Sequence, residues 1–230
     1  MIRASTDFDV AAVTSGRRAM RYRALTVSRE YGSRGAEIAG IIARDLGWRL
    51  VDKELINEIS QRGQVSAREA AAFDERVDPW LHRITRSIWA LGVDGISPVA
   101  PLDLFDAEKA AHLAKQIIEE AYRMGECVIV GRGSQCVLRD RQDVFHAFIY
   151  ARWAERAQRI EERTPPGTDV KALIQTMDEQ RLEYVRLHYG ANRLDPYLYD
   201  IMIDSKNQPE KVARLIISAM RMIPEAVPAE

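Results

Sequence analysis

Two cysteines, Cys127 and Cys136, among 230 residues are too few for a disulfide framework. Cys127 stands inside an apolar, strand-like run, so it reads as a small buried hydrophobe rather than a redox or metal-binding thiol. No apolar stretch approaches the roughly 18 residues that a membrane span needs. Residues 1–20 carry Asp7 and Asp9 and only a short apolar patch at Val10–Val13, which is not a secretory signal. An excess of one charge is missing too. Lys+Arg 33 against Asp+Glu 34 leaves a net charge of -1, so no global field draws the chain to nucleic acid. The histidines His82, His112, His146 and His188 show no metal-ligand spacing, which argues against a zinc site. Internal repeats, low-complexity tracts and heptad seams are also lacking. What remains is the expectation of a cytoplasmic protein, with no nucleic-acid or membrane partner and a loose N-terminal tail.

The chain is 47% hydrophobic and 29% charged, an ordinary soluble composition, and its length suits one sizeable domain with inserted subdomains. Five short β-like runs stand out: Ala24–Val27, Trp48–Val51, Cys127–Val130, Val144–Tyr150 and Asp200–Ile203. Near-continuous apolar strands separated by segments of helical period predict a parallel sheet covered on both faces. Helices are expected at about 35–46, 53–61, 104–124, 152–163, 169–189 and 209–222. The first places Ile38, Ile41, Ile42 and Leu46 on one face and stops at Gly47; the last carries Val212, Leu215, Ile216 and Met220 as its buried stripe. Two regions interrupt the rhythm. Residues 62–103 hold the amphipathic pieces Ala67–Phe73 and Trp80–Leu91 and then a loop, which reads as a helical insertion whose Trp80 and Trp89 are packing residues. Thr164-Pro165-Pro166-Gly167-Thr168 breaks two arginine-bearing helices apart, as a mobile flap would.

Four elements carry candidate chemistry. The first is Val27-Ser28-Arg29-Glu30-Tyr31-Gly32-Ser33-Arg34-Gly35-Ala36-Glu37, a β-branched run opening through glycines into a helix. Gly32 and Gly35 let backbone N–H groups converge on an anion, and the helix start adds unpaired N–H groups and a positive dipole end. Arg29 and Arg34 supply charge beside it. The lysine and Ser/Thr of G-x-x-x-x-G-K-[ST] are missing, and a plain strand-to-helix turn with surface arginines is the rival reading. The second is Gly131-Arg132-Gly133, delivered by an apolar strand to the carboxyl edge where open α/β sheets bind ligands; a surface arginine in a turn is its alternative. The third is Arg152, Arg156, Arg159 and Arg163, one stripe of a helix, against which stands a solvated face paired with Glu155, Glu161 and Glu162. The fourth is Asp178, Arg181 and Arg186 on the following helix, with ordinary surface pairs as the alternative. Asp52, ending the second run, is either near an acceptor or Mg²⁺ or simply the N-cap of the next helix.

Taken in order, Ser28-Arg29-Glu30-Tyr31-Gly32-Ser33, Glu37-Ile38-Ala39, Val51-Asp52-Lys53-Glu54-Leu55, Gly131-Arg132-Gly133, Leu138-Arg139-Asp140-Arg141 and Glu155-Arg156-Ala157-Gln158-Arg159 resemble the cytidylate-kinase-like family of P-loop proteins. The tail Asp195-Pro196-Tyr197-Leu198-Tyr199-Asp200 fits as well, so the resemblance runs over about 24–220. It implies a three-layer α/β fold of the P-loop NTPase type with a five-stranded parallel sheet. Residues 23–223 would form the kinase-like domain, with a helical nucleoside-monophosphate-binding insertion at 53–103 and a small lid at 160–178, between tails at 1–22 and 224–230. ATP and Mg²⁺ are the implied cofactors and a nucleoside monophosphate the implied acceptor, CMP first, with a homodimer left open. Arg29, Gly32, Ser33, Arg34, Gly35 and Ala36 would hold the donor phosphates; Asp52, Arg132 and Arg181 the acceptor; and Arg34, Arg156 and Arg159 would act on the transferring group, with no metal ligand assigned. Against the family pattern, Gly35 stands where lysine belongs, Ala36–Glu37 where the hydroxyl lies, and Gly133 where an acidic residue follows the acceptor arginine. The departures keep two alternatives open: a kinase-derived nucleotide-binding or regulatory module, and a kinase for another small acceptor.

Overall fold

The computed structural model of the chain describes residues 22–52 and 104–222. The expected helix at 53–61, the insertion at 53–103 and the tails up to residue 21 and from 223 onward lie outside these residues. Strands β1 (Ala24–Arg29), β2 (Arg49–Val51), β3 (Cys127–Val130), β4 (Val144–Tyr150) and β5 (Ile201–Asp204) form one sheet in the order β2-β3-β1-β4-β5. Every neighbouring pair is parallel. Such a sheet is buried on both faces, which is why β3 and β4 are apolar almost throughout rather than alternating.

Helices α1 (Gly35–Leu46) and α6 (Pro209–Met222) pack on each other and cover one face; Leu25, Val27, Ile38, Ile42, Phe145, Ile149, Val212 and Ile216 fill that layer. Helix α2 (Leu104–Met124) covers the other face with Leu113, Ala114, Ile117, Ile118 and Ala121 against Cys127, Ile129 and Val144. A fully buried Leu, Ile, Val or Phe contributes about 1.5–3 kcal/mol, so these two layers dominate the stability. Tyr22 already belongs to the core: it is buried, edge-on to Phe145 at 5.2 Å between ring centroids. Within β1 and β4, Thr26 Oγ1 lies 2.7 Å from His146 Nδ1, a polar pair sealed in the sheet.

The stripe expected on α6 needs one correction. Leu215 is half exposed, while Ala213 and Ile217 are buried beside Val212, Ile216 and Met220. The buried face is thus centred one residue further round the helix.

The carboxyl edge carries the remaining elements: the short α3 (Ser134–Val137) after β3, α4 (Trp153–Glu161) after β4, then α5 (Val170–Tyr189) and a 3₁₀ turn, Pro196–Leu198. Asp169 caps α5 by accepting the Ala172 N–H at 2.9 Å, and Gly190 ends it at φ 63°. Helices α4 and α5 pack together over the end of β1.

Candidate active site

The loop between β1 and α1 is held by its carbonyls. Arg181 Nη1 and Arg193 Nη1 both donate to the Arg29 carbonyl, at 3.0 and 2.9 Å. Ser33 Oγ donates to the Glu30 carbonyl at 2.9 Å, Arg156 Nε to that of Tyr31 at 2.7 Å, and Arg159 Nη1 to that of Gly32 at 3.3 Å. From Arg29 to Gly32, each carbonyl is therefore turned into the protein. The first backbone N–H of α1 with an acceptor is that of Ile38, on the Arg34 carbonyl at 3.0 Å; those of Gly35, Ala36 and Glu37 have none among the described residues. Arg34 caps the helix start in the left-handed region at φ 61°, after Gly32 at φ 81°. A left-handed residue followed by a helix start aims successive N–H groups at one point, which is an anion cradle.

Gly32 and Gly35 are required here by close approach. A Cβ at Gly32 would meet Arg156 backbone and side chain at 3.0–3.2 Å, and one at Gly35 would overlap Arg29 Cβ at 2.5 Å. The loop thus sits directly on two arginine side chains.

Arg156 is the most enclosed of the arginines expected to act on the transferring group. Its side chain is 7% exposed and is bound by Glu30 at 3.2 Å and by Asp178. Asp178 also accepts the Tyr31 N–H at 2.9 Å, and Trp153 flanks the guanidinium at 5.8 Å. Arg159 is anchored on Ser205, Glu155 and the Gly32 carbonyl. The stripe does not enter the site whole. Helix α4 spans Trp153–Glu161, so Arg152 is its N-cap and Arg163 lies beyond its end; both are exposed.

Arg132 and Arg181, expected on the acceptor side, do come together. With Arg29, Arg193, Gln135 and Tyr184 they line a cleft of about 60 Å³ at the carboxyl ends of β1 and β3. Burial pulls the guanidinium pKa values of Arg181 and Arg193 down from their ordinary value, with Asp178 opposing it in both. Arginine stays protonated regardless, so the cleft is cationic. Arg181 stacks over Tyr31 at 5.5 Å and Arg193 over Phe148 at 5.4 Å. Arg34 and Asp52 are not part of this lining. Arg34 instead makes two bonds to Glu37, at 2.9 and 3.0 Å, on the outer side of α1. Arg186 likewise pairs with Glu183 on the surface, as the plainer reading of that position had it.

The position after Arg132 has its own occupant. Gly133 is at φ 70°, and the ring of Tyr189 fills the space where its side chain would begin. Tyr189 Oη also donates to the Arg132 carbonyl at 3.1 Å. An acidic side chain at 133 is sterically excluded while that ring is in place.

Two participants, Arg193 and Gln135, are not among the candidate residues, and a third, Asp178, is named without its role. Arg193 is 5% exposed, holds the Arg29 carbonyl and leaves its Nε without a partner among the described residues. Gln135, 1% exposed on the cleft wall, has no partner for either amide atom among the described residues. Asp178, read among surface pairs, is the central carboxylate. Its signal was present: Ile174, Asp178, Arg181 and Val185 share one face of α5, and both apolar members are buried. A charged pair bracketed by buried apolar residues at helical spacing faces inward.

A family model described as the cytidylate kinase-like family matches residues 24–207. No curated protein matches the chain. Among solved structures, an uncharacterized protein from Eubacterium ventriosum shares the fold, with a TM-score of 0.62 at 20% identity over 87% of this chain and 99% of that one. A sugar kinase from Janibacter sp. aligns with a TM-score of 0.46 at 16% identity, covering 88% of this chain and 96% of that chain. Shikimate kinase from Acinetobacter baumannii, in complex with shikimate, aligns with a TM-score of 0.47 at 12% identity, covering 88% and 94%. Because the family match runs from the first residue of β1 to the turn after β5, the chain belongs to the cytidylate kinase-like family.

Proposed function

We propose that the protein transfers a phosphoryl group from ATP to a nucleoside monophosphate, with CMP the first acceptor to try. One observation carries this reading: the carbonyls of Arg29, Glu30, Tyr31 and Gly32 are all occupied by guanidinium or hydroxyl donors, which leaves the loop's N–H side for an anion. Phosphoryl transfer asks mainly for positioning and charge neutralisation, and this edge of the sheet supplies both. The N–H groups of Gly32 and of Arg34–Ala36 would receive the donor phosphates, that of Ser33 being held by the Glu30 carbonyl at 3.4 Å. Arg132 and Arg181 would hold the acceptor phosphate in the adjoining cleft. Arg156 and Arg159 keep the loop in shape, Arg156 already neutralised by Glu30 and Asp178. Among the described residues no group of three or more acidic, His or Cys side chains converges as a metal site. Magnesium is proposed to come with ATP, coordinated mainly by phosphate oxygens and water.

Purified protein with ATP, Mg²⁺ and a panel of nucleoside monophosphates is expected to form ADP above a no-acceptor control. Background ADP with every acceptor rejects the proposal. A second reading keeps the chemistry and changes the acceptor. It is favoured by the Tyr189 ring in the place of an acidic side chain at Gly133, which removes that carboxylate from base recognition. Turnover of a phosphorylated or carboxylated hydroxy compound in preference to CMP would select it.

A further inference from the structure

Gly35 stands where the loop's lysine belongs, and the structure shows what fills that space. The Cβ and Cγ of Arg29 lie 2.5 and 2.8 Å from where a Gly35 Cβ would be. At its far end, Arg29 Nη1 lies where a Gly131 side chain would begin. The side chain therefore starts at the last residue of β1, passes under the start of α1 and ends at the glycine turn after β3. Two glycines, on two different loops, clear this path. The backbone at Arg29 is fixed as well, since Arg181 and Arg193 both bind its carbonyl and the residue stays in register with Ile149 of β4. Arg34, the other cation of the loop, is turned outward onto Glu37.

We propose that Arg29 supplies the cation that the phosphate loop lacks at position 35, its stem taking the place of the lysine stem and its guanidinium meeting the donor phosphates between the two glycine turns. This rests on the reading that the loop holds ATP. A guanidinium offers several N–H donors in a fixed fork, so it can bind phosphate oxygens of both the donor and the group in transfer without any proton changing hands. Arg29 also lines the acceptor cleft, which places one charge between the two substrates.

The test relocates the charge. Arg29→Met keeps the stem under Gly35 and removes the guanidinium; Arg29→Ala combined with Gly35→Lys empties the space and returns an ammonium to position 35. Binding of ATP, AMP and inorganic tripolyphosphate is measured by calorimetry, with circular dichroism melts to confirm folding. Arg29→Met is expected to weaken ATP and tripolyphosphate by roughly 10- to 100-fold, the loss of a charged hydrogen-bonding group, and AMP far less. The double variant is expected to recover most of the ATP affinity. A folded Arg29→Met protein that binds ATP as tightly as wild type overturns the inference and leaves the kinase reading standing; so does a folded double variant with no recovery. If the double variant does not fold, the Arg29→Met series decides alone. Wild type that binds tripolyphosphate but not ATP rejects the nucleotide reading, and tripolyphosphate then decides the role of Arg29. Wild type that binds neither rejects both.

Discussion

Asp178 and Tyr31 meet through a single N–H···O bond of 2.9 Å, while the Tyr31 carbonyl accepts from Arg156, itself bound to the same carboxylate. One ion pair thus clamps both polar groups of one loop residue, with 147 positions of chain between the partners of the first bond. The loop between β1 and α1 is shaped from outside, by α4 and α5, as much as by its own glycines.

Asp178→Ala should therefore act twice. It leaves Arg156 buried with Glu30 alone and the Tyr31 N–H without its acceptor. A loss of about 3 kcal/mol is expected, at the lower end for breaking a buried pair because Glu30 remains. Urea unfolding at constant m-value measures it. Asp178→Asn, which keeps an acceptor for Tyr31, should lose less.

Gly133→Ala should be costly for two separable reasons. The φ of 70° alone costs roughly 1–2 kcal/mol for a residue with a Cβ. The Tyr189 ring adds an overlap that only movement of the ring relieves. Thermal melts of Gly133→Ala, Tyr189→Ala and the double variant form a cycle, and a coupling of at least about 0.5 kcal/mol is expected between them. Strict additivity would show that the ring does not hold that turn.

Gln135→Leu should move stability and function in opposite directions. The buried amide has no partner on either atom among the described residues, and such groups cost about 1–3 kcal/mol each. Removing it is expected to raise the melting temperature of the empty protein while raising the acceptor KM and sparing that of ATP. A lower melting temperature would mean that the amide is satisfied in solution.

Acid should weaken the sheet through His146. Burial lowers its pKa from 6.5, against the pull of Asp200 and a backbone hydrogen bond. Near pH 6.5 the unfolded chain takes up a proton that the folded chain refuses, so stability rises with pH there and falls as the pH drops through that value. Chemical denaturation between pH 8 and 5.5 reads the slope, and His146→Asn should flatten it.

The layered fold was legible because buried parallel strands and amphipathic helices write their period into the chain. The runs at Cys127–Val130 and Val144–Tyr150 became strands with those limits. Strand β1 extends past Val27 because Ser28 and Arg29 keep pairing with Phe148 and Ile149, which polarity alone conceals. Short elements such as Ser134–Val137 and Pro196–Leu198 hold too few residues to show a period. In the site, residue type marked the arginines but not their destinations. Arg34 and Arg29 flank the same loop, yet one meets Glu37 and the other runs beneath a glycine. That difference depends on two missing Cβ atoms, one of them about a hundred residues away, and no local pattern reports it.

The Arg29 carbonyl is shared by Arg181 of α5 and Arg193 of the segment that follows it. If Arg181 holds the acceptor as proposed, an anion drawn to it would pull on a guanidinium that is already positioning the end of β1, from which the glycine loop springs. On the proposed reading, the two substrates would be energetically linked through one oxygen atom. Whatever factor the acceptor imposes on donor affinity, the donor must return in equal measure. Saturation curves for one substrate should then depend on the level of the other, a synergy written into the resting protein before either arrives.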